Sequence, residues 1–374
     1  MKIGIMTFHA ASNHGAALQA YALQTQLEKM GHQPFFINYL FGEQPRKGVL
    51  AWIGRSPANT FEKVDKQFRY KPFLPFQKKY LHVGDVRYVS HEQLYAAPPE
   101  ADMYICGSDQ VWNPNLFSKE KDERAFWLDF NNNGVRRVAY APSFGVTHLG
   151  NDTVRRYTAY AKHFDAISVR EKNALHIMEK LGKQNAVWVP DPTLLIELND
   201  FLNIEQQHQQ SQKPYLFSYQ LQTRRSLPSA ATAINKTVCS CFGIELYDSY
   251  SVSVLHNIFR RKYLNPAQWL YKLHNSDFIV TNSFHGTVFA LLYHRPFITI
   301  LRKGLSTGMN NRIETLLEVV GLSNRSVTEF DQNHIEALCR EKIEWSVVET
   351  KIKEFRETGI KFLKDALALC NRGE

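Results

Sequence analysis

The sequence predicts an α/β protein made of two Rossmann-like domains that face each other across a cleft. Short apolar segments recur along the chain, and each is followed by a polar turn and then by residues with helical spacing. Such alternation is typical of βαβ units wound into parallel sheets. The chain has 374 residues, 44% of them hydrophobic and 22% charged, which exceeds the usual size of one globular core. We therefore expect two cores.

The first domain is predicted for residues 1–197. Its first strand is Lys2–Phe8, a helix then follows the polar turn Ser12–Ala16 and stops at Gly31, and the next strand is Pro34–Asn38. Further strands are expected in the segments DMYICG, RRVAYA, DAISVR and AVWVP.

The second domain is predicted for residues 215–330, after a Gln-rich linker at 198–214 that is poor in apolar residues and ends in proline. Strands are expected in PYLFSY, DFIVTN and FITIL. Residues 331–374 read as C-terminal helices with charged faces.

Positive charge is unevenly distributed along the chain, which has a formal net charge of +9. Gly42–Tyr80 contains nine Lys or Arg against three Asp or Glu, with aromatic residues between them. Such a surface attracts phosphorylated substrates, nucleic acid or an anionic membrane, although a pair of solvated amphipathic helices has the same composition. No recognised RNA- or DNA-binding module is present, so nucleic acid is not expected as a partner.

The cysteines and the length of the apolar runs indicate the cellular compartment in which the protein is expected. The five cysteines form no CxxC pair, which favours free thiols in a reducing cytoplasm and argues against a metal site. We find no secretory signal and no apolar run of about 18 residues, so any membrane contact is expected to be peripheral, through Gly42–Tyr80.

Several common catalytic motifs are missing. The chain lacks GxxxxGK[ST], GxGxxG and HExxH, and it has no Asp-x-Asp pair for a divalent metal. Ala141–Gly145 loosely mimics the G-x-S-x-G elbow of hydrolases, but its first glycine is absent and proline precedes Ser143.

Polar loops at predicted strand ends are the remaining candidates, because ligands of open α/β sheets bind outside the carboxyl ends of the strands. Ser12–Ala16 offers small residues and a helix N-terminus, or is a simple N-cap. Cys106–Pro114 places several hydrogen-bonding groups after a buried strand, although an Asx turn alone explains Ser108 and Asp109.

Three more loops follow later in the chain. Arg170 either pairs with its neighbour Glu171 or grips a carboxylate or phosphate. Pro190–Thr193 reads as a stiff structural turn. His285 stands between a buried strand and a helix, and Gly286 permits close backbone approach there, which favours acid–base chemistry over a purely structural histidine.

Together these stretches resemble the polysaccharide pyruvyl transferase family, in consistent order over nearly the whole chain. The matching stretches are Asn13–Leu23, Gly107–Asn113, Ala139–Gly145, Ile167–Leu175, Pro190–Leu195 and Thr281–Tyr293. The resemblance implies a fold similar to GT-B glycosyltransferases. It also implies transfer of pyruvate from phosphoenolpyruvate to a sugar as a cyclic ketal, in cell-surface polysaccharide or exopolysaccharide biosynthesis.

The resemblance also implies roles for individual residues. His285 and Arg170 are the catalytic candidates, His285 for proton transfer and Arg170 for the anionic donor. The donor-binding candidates are Ser283, Gly286, Arg302, Lys303 and Arg312. The acceptor-binding candidates are Asn13, His14, Gly15, Ser108, Asp109 and Gln110. No cofactor or metal is expected, and the acceptor is expected to be a lipid-linked or oligosaccharide sugar.

One departure from the family pattern affects the donor site. Some branches carry Arg-Leu-His where this chain has Ser283-Phe284-His285, which shifts the expected anion contact onto Arg170 or onto the segment 302–312. Two alternatives stay open: a glycosyltransferase that uses a nucleotide sugar, and a non-catalytic sugar-binding protein on the same scaffold.

Overall fold

Residues 1–40, 68–117, 120–131, 134–207, 213–221, 229–249, 263–303 and 308–369 are described by the structure, a computed structural model. They divide into two units. Unit 1 contains the described residues of 1–44, 75–196 and 353–374, and unit 2 contains those of 45–74 and 197–352. The predicted basic segment Gly42–Tyr80 is described only from Phe68 onward.

Unit 1 is built on a seven-stranded parallel sheet. Its strands are β1 (Lys2–Met6), β2 (Gln33–Tyr39), β3 (Val83–Tyr88), β4 (Met103–Cys106), β5 (Arg136–Ala139), β6 (Ala166–Val169) and β7 (Val187–Trp188). They lie in the order β3-β2-β1-β4-β5-β6-β7. This is the doubly wound arrangement that the alternating pattern predicts.

Helices connect these strands. They are α1 (His14–Lys29), α2 (Phe73–Tyr80), α3 (His91–Ala96), α4 (Glu120–Phe126), α5 (Asn151–Ala161) and α6 (Asn173–Lys180). Helix α1 ends where predicted, because Gly31 takes a left-handed φ of 82° just beyond Met30 and its N–H donates to the Glu28 carbonyl.

Aromatic residues fill the core of unit 1. The indole rings of Trp112 and Trp127 stack with centroids 4.0 Å apart, and Phe144 and Tyr157 pack around the pair. Trp112 is fully buried. It therefore belongs to the core, although it follows a polar loop in the sequence.

Unit 2 is built on a five-stranded parallel sheet. Its strands are β8 (Tyr215–Tyr219), β9 (Glu245–Asp248), β10 (Phe278–Thr281), β11 (Phe297–Ile300) and β12 (Ser326–Val327). Their order is β12-β11-β10-β8-β9. Its helices are α7 (Leu198–Leu202), α8 (Ser229–Phe242), α9 (Pro266–His274), α10 (Phe284–Leu292), α11 (Asn311–Val320) and α12 (Gln332–Arg340).

The two faces of the smaller sheet are packed differently. On one face, aliphatic side chains of α8 and α12 cover Phe278, Val280 and Ile298. Elsewhere in the unit, Trp269 and Phe289 meet edge to face with ring centroids 5.5 Å apart, and Phe201 of α7 packs on Phe289. Helix α7 lies within the segment predicted as linker, so residues from 198 onward already contribute to the core of unit 2.

The last helix, α13 (Trp345–Ala368), belongs to both units. Its residues up to Ile352 group with unit 2 and those from Lys353 group with unit 1. In unit 1 the Arg356 Nε donates to the Leu194 carbonyl at 2.7 Å, and Phe355 packs on Trp188. The predicted C-terminal segment 331–374 is thus divided between the two units.

None of the helices in the described part of the chain combines the length and hydrophobicity that crossing a bilayer requires.

Candidate functional site

The two halves of the larger sheet diverge between β1 and β4. From β1 the chain winds outward through β2 and β3, whereas β4 starts the run in the other direction. The carboxyl ends at such a switch point form the usual ligand crevice. The loops after β1 and β4 meet here, because the Thr7 hydroxyl donates to the Ser108 carbonyl at 2.9 Å.

The loop after β1 carries three of the predicted acceptor residues. The Asn13 side chain accepts from the Ala16 N–H at 3.1 Å and caps α1, so its amide oxygen serves the helix. His14 is the first helical residue and is half-buried, and Gly15 is buried. The N-cap interpretation of this loop is therefore correct, and His14 remains a part-exposed side chain beside the cap.

The loop after β4 turns most of its side chains inward. The Ser108 hydroxyl lies 2.9 Å from the Ala141 carbonyl and 3.1 Å from a carboxylate oxygen of Asp191. The Gln110 side chain accepts from the Asn113 amide at 2.7 Å. Asp109 differs, because its side chain is 15% exposed and its backbone has a left-handed φ of 75°.

Arg170 lies beneath this loop. Its side chain is 1% exposed, and its Nη1 contacts the fully buried Asp191 carboxylate at 2.7 Å. Its Nη2 lies 3.7 Å from the Asp109 carboxylate. Burial lowers the pKa of the Arg170 guanidinium, but the carboxylates of Asp191, Asp109 and Glu171 outweigh that effect and the pKa is raised overall. The guanidinium is thus matched by carboxylates of its own unit.

Glu171 organises the neighbouring loop after β5. Its Oε1 accepts from the Ser143 hydroxyl at 2.9 Å and from the Phe144 N–H at 3.0 Å. Ser143 is fully buried. A buried hydroxyl that donates to a carboxylate does not fit an exposed nucleophile at a hydrolase elbow.

His9 is a buried histidine in the loop that follows β1. Its ring stacks on Phe36 with centroids 5.7 Å apart, and its Nδ1 lies 3.2 Å from the Thr7 carbonyl. Burial lowers its pKa to about 4, partly opposed by hydrogen bonds to Thr7 and Asn38. His9 is therefore neutral at pH 7.

The smaller sheet has its own switch point, between β8 and β10. The Asn282 side chain joins the two strand ends, since it accepts from the Leu221 N–H at 2.6 Å and donates to the Leu221 carbonyl at 3.1 Å. The Gln220 amide donates to the Val280 carbonyl at 3.0 Å. His285 follows directly after this switch point.

The first turn of α10 holds His285 and the glycine that the sequence singles out. Ser283 caps the helix by accepting from the Gly286 N–H at 3.3 Å. A Cβ at position 286 would lie 2.5 Å from the Thr281 hydroxyl, so this position requires glycine for close approach to β10. His285 is 6% exposed, and its ring meets that of Phe284 edge to face.

Two arginines lie near this turn. The Arg312 guanidinium lies over the Phe284 ring, 5.6 Å from its centroid. Arg302 follows β11, the neighbour of β10 in the sheet, and the Asn310 side chain makes two 2.9 Å hydrogen bonds to its backbone. Burial lowers the pKa of the Arg302 guanidinium, the reverse of the shift at Arg170.

Lys303, the remaining predicted donor residue, lies apart from these groups. Its amine pairs with Glu329, and both side chains are well exposed. Ser283, His285, Gly286, Arg302 and Arg312 are thus connected through α10 and its neighbours, whereas Lys303 is on the surface of unit 2.

Sequence reasoning missed several residues that shape the two edges. Asp191 was expected in a structural turn but not as the counterion of Arg170, and neither Asn310 nor His9 was singled out. Their roles depend on which strand ends become neighbours, which a single sequence does not display. Among the described residues, no group of three or more His, Cys, Asp or Glu side chains is placed to hold a metal ion.

The two Rossmann-like units define the general class of the protein, that of the GT-B-like folds. A putative UDP-N-acetylglucosamine 2-epimerase from Listeria monocytogenes matches with a TM-score of 0.56 and 11% identity, over 100% of this chain and 97% of that one. UGT89C1 of Arabidopsis thaliana complexed with UDP-L-rhamnose matches with a TM-score of 0.52 and 12% identity, over 99% of this chain and 98% of that one. MnaA of S. aureus with UDP matches with a TM-score of 0.50 and 12% identity, over 99% of this chain and 97% of that one. Identities this low show the fold alone.

The family follows from the sequence. The family model for polysaccharide pyruvyl transferase matches residues 13–304, which is most of the chain. The protein therefore belongs to the polysaccharide pyruvyl transferase family, a family of transferases, as the resemblance predicted. A search of the curated proteins found no match.

Proposed function

We propose that this protein transfers pyruvate from phosphoenolpyruvate to a sugar as a cyclic ketal, in the assembly of a cell-surface polysaccharide or exopolysaccharide. The family supports pyruvyl transfer, and one structural observation supports the assignment of substrates. The two switch points carry opposite charge: carboxylates surround Arg170 in unit 1, whereas Arg302, Arg312 and a helix N-terminus accompany His285 in unit 2.

The anionic donor fits the switch point of unit 2. Phosphoenolpyruvate carries a carboxylate and a phosphate, and helix N-termini and arginines are the usual ligands of such groups. Because burial lowers the pKa of Arg302, its guanidinium is a desolvated cation that an anion would stabilise. Ser283 and Gly286 offer the first N–H groups of α10 to the donor.

The neutral acceptor fits the switch point of unit 1. A sugar offers hydroxyl groups, which hydrogen-bond to carboxylates and do not require a cation. Asp109, His14 and Asn13 are the part-exposed polar residues among the predicted acceptor residues there, and the Asn13 amide oxygen is already used to cap α1. Asn13, Ser108 and Gln110 hold the loops in place through the hydrogen bonds described above.

The reaction balances without a further reactant. A proton, which we assign to His285, goes to the methylene carbon of phosphoenolpyruvate and makes the adjacent carbon electrophilic. Two sugar hydroxyls add to that carbon, and the bond to phosphate breaks. Of the two hydroxyl protons, one balances the proton that the methyl group gained and the other leaves with phosphate.

The place of action is also part of the proposal. We assign the protein to the cytoplasm, at the inner membrane face where lipid-linked acceptors are found. The described part of the basic segment exposes Lys71, Lys78 and Lys79, which suits contact with an anionic surface.

Ligand-induced thermal stabilisation tests the donor assignment. Wild type, Arg302→Gln and Arg312→Gln are heated with phosphoenolpyruvate, UDP, CMP or phosphate, with Arg340→Gln as control because that arginine is an exposed partner of Glu336. A ligand at 100 times its Kd adds about 2.7 kcal/mol. We expect phosphoenolpyruvate to protect wild type and Arg340→Gln, and to protect the other two variants much less. Lys303→Gln in the same series tests whether Lys303 contributes to the binding of phosphoenolpyruvate.

Other outcomes select the alternatives. Protection by UDP but not by phosphoenolpyruvate would contradict the proposal and indicate a glycosyltransferase that uses a nucleotide sugar. Binding of sugars with no transfer of pyruvate, in wild type and His285→Ala alike, would indicate a non-catalytic sugar-binding protein.

A further inference from the structure

The backbone of Asp109 adopts a conformation that few residues other than glycine take. Its φ of 75° lies in the left-handed region, which aspartate tolerates better than most side chains but still at a cost. Such strain persists only where surrounding contacts enforce it, and it is concentrated at functional sites.

Contacts from two neighbouring strand ends enforce this conformation. The Asp109 carbonyl accepts from the Ser143 N–H at 2.9 Å, and Asp109 forms an isolated parallel bridge with Pro142. One oxygen of its own carboxylate accepts from the Gln110 N–H at 2.8 Å. Ala141, just before the bridge, also has a left-handed φ, of 53°.

The charged side chains of Arg170 and Asp191 are buried beneath the loop after β4, whereas the carboxylate of Asp109 in that loop is part-exposed. Arg170 and Asp191 are almost completely shielded from solvent and contact each other at 2.7 Å. The second arm of the Arg170 fork lies 3.7 Å from Asp109. The arginine therefore approaches Asp109 from inside the protein, while the carboxylate of Asp109 reaches the carboxyl edge of the sheet.

Other groups at this edge are already engaged. Glu171 is 2% exposed and accepts from Ser143 and Phe144. His9 is buried and neutral. The Ser108 hydroxyl contacts Ala141 and Asp191. Of the carboxylates in this cluster of described residues, Asp109 is the one that a sugar hydroxyl can reach.

We propose that Asp109 is a catalytic residue that takes the proton of the attacking sugar hydroxyl, and that Arg170 is a positioning residue that holds Asp109 without touching either substrate. The assignment rests on the proposed function. In this step the hydroxyl oxygen forms its bond to the electrophilic carbon of the donor as its O–H bond breaks, and the proton passes to the Asp109 carboxylate. The departing phosphate later carries a proton away, so the carboxylate is regenerated.

The arrangement explains why three separated stretches of the chain belong together. Gly107–Asn113 presents Asp109, Ile167–Leu175 supplies Arg170, and Pro190–Leu195 supplies Asp191 as the counterion. Arg170 therefore serves the acceptor side, whereas the sequence suggested contact with the donor.

The test combines stability with pyruvyl transfer. Asp109→Asn keeps the size of the side chain and tolerates the left-handed backbone but removes one carboxylate beside Arg170, so we expect an unchanged or slightly lower Tm. With phosphoenolpyruvate and a panel of p-nitrophenyl galactosides, mannosides, glucosides and N-acetylglucosaminides, we expect its rate of phosphate release to fall on the order of 10²–10⁴-fold. Protection by phosphoenolpyruvate should be retained. Asp152→Asn, which removes an exposed carboxylate paired with Arg155, is the control and should keep full activity.

Arg170→Lys tests the positioning role. Lysine keeps the charge but loses the fork, so the contact between the guanidinium and the Asp109 carboxylate is lost. We expect a lower kcat at unchanged KM for phosphoenolpyruvate.

The outcomes separate this assignment from the function it rests on. Absence of transfer by wild type to every sugar would overturn the proposed function and this assignment with it. Transfer by wild type and equally by Asp109→Asn would overturn the assignment alone. A fall in the stability of Arg170→Lys without any fall in its kcat would overturn the positioning role.

Discussion

The carboxyl edges of the two sheets are tied together by different chemistry. In unit 1 a buried ion pair, Arg170–Asp191, anchors the loops at the switch point. In unit 2 neutral side chains fix the loops by hydrogen bonds. Asn282 joins the ends of β8 and β10, and Asn310 binds the backbone of Arg302. The difference therefore lies in how the loops are held, by a buried ion pair in unit 1 and by neutral hydrogen bonds in unit 2.

The largest effect should come from breaking the ion pair of unit 1. Arg170→Gln leaves the Asp191 carboxylate buried without its counterion, which costs about 3–5 kcal/mol. Asp191→Asn should cost less, because Asp109 and Glu171 still stabilise Arg170. The free energy of unfolding by guanidinium chloride measures this cost. Asn282→Ala in unit 2 breaks neutral hydrogen bonds and should cost only about 1–3 kcal/mol. Equal costs for the two edges would contradict the comparison.

The double variant Arg170→Met/Asp191→Leu tests whether the two buried charges stabilise each other. It removes both charges together, so it should be far less destabilising than the sum of the single changes. An additive result would mean that the two side chains do not interact.

His9 should make unit 1 sensitive to acid. Its pKa is about 4 in the folded protein against an ordinary value of 6.5, so the unfolded chain binds the proton more readily between those pH values. The associated stability is complete above pH 6.5 and is lost as the pH falls towards 4, at about 1.4 kcal/mol per pH unit and about 3 kcal/mol in total. Thermal unfolding of wild type and His9→Gln across this range measures the difference in slope. Parallel curves would show that His9 is not buried as a neutral group.

Gly286 tests how closely α10 approaches β10 in unit 2. Gly286→Ala places a methyl group 2.5 Å from the Thr281 hydroxyl, and such overpacking costs about 1–3 kcal/mol. Thr281→Ala/Gly286→Ala removes the obstruction and should cost less than the sum of the single variants. The free energy of unfolding of all four proteins gives the coupling energy, and a coupling of zero would contradict the close approach.

The smallest effects should come from the two helix caps, which are equivalent in the two units. Asn13→Ala and Ser283→Ala each remove one side-chain acceptor from a helix N-terminus, at about 1 kcal/mol. Their stabilities should therefore match. Protection by phosphoenolpyruvate should decrease in Ser283→Ala and persist in Asn13→Ala. Equal loss of protection in both would argue against separate donor and acceptor sides.

The sequence predicts the interior strands well and the edge strands poorly. Every strand expected from an apolar run is present, whereas β3, β9 and β12 were not expected. These three lie at sheet edges, where fewer neighbours cover them, and β3 and β9 are largely exposed. Without a buried face, a strand has no distinctive hydrophobic pattern.

The candidate site shows the same limit. Local signals single out His285 and Gly286, which interrupt an apolar stretch, and Asp109, which follows a buried strand, as candidates. They did not reveal that Arg170 faces Asp191, 21 residues away along the chain. Such a pairing follows from the order of β4, β5, β6 and β7 in the sheet, and that order is a property of the folded chain.

The route of α13 has a consequence for how the protein is made. Unit 1 contains residues that precede unit 2 in the chain, yet it is completed by residues of α13 that are synthesised after unit 2, including Arg356 against Leu194 and Phe355 against Trp188. Domains generally fold as units in the order in which they leave the ribosome. Here the N-terminal unit should wait in a partly folded state while unit 2 emerges, so unit 2 is expected to finish folding first.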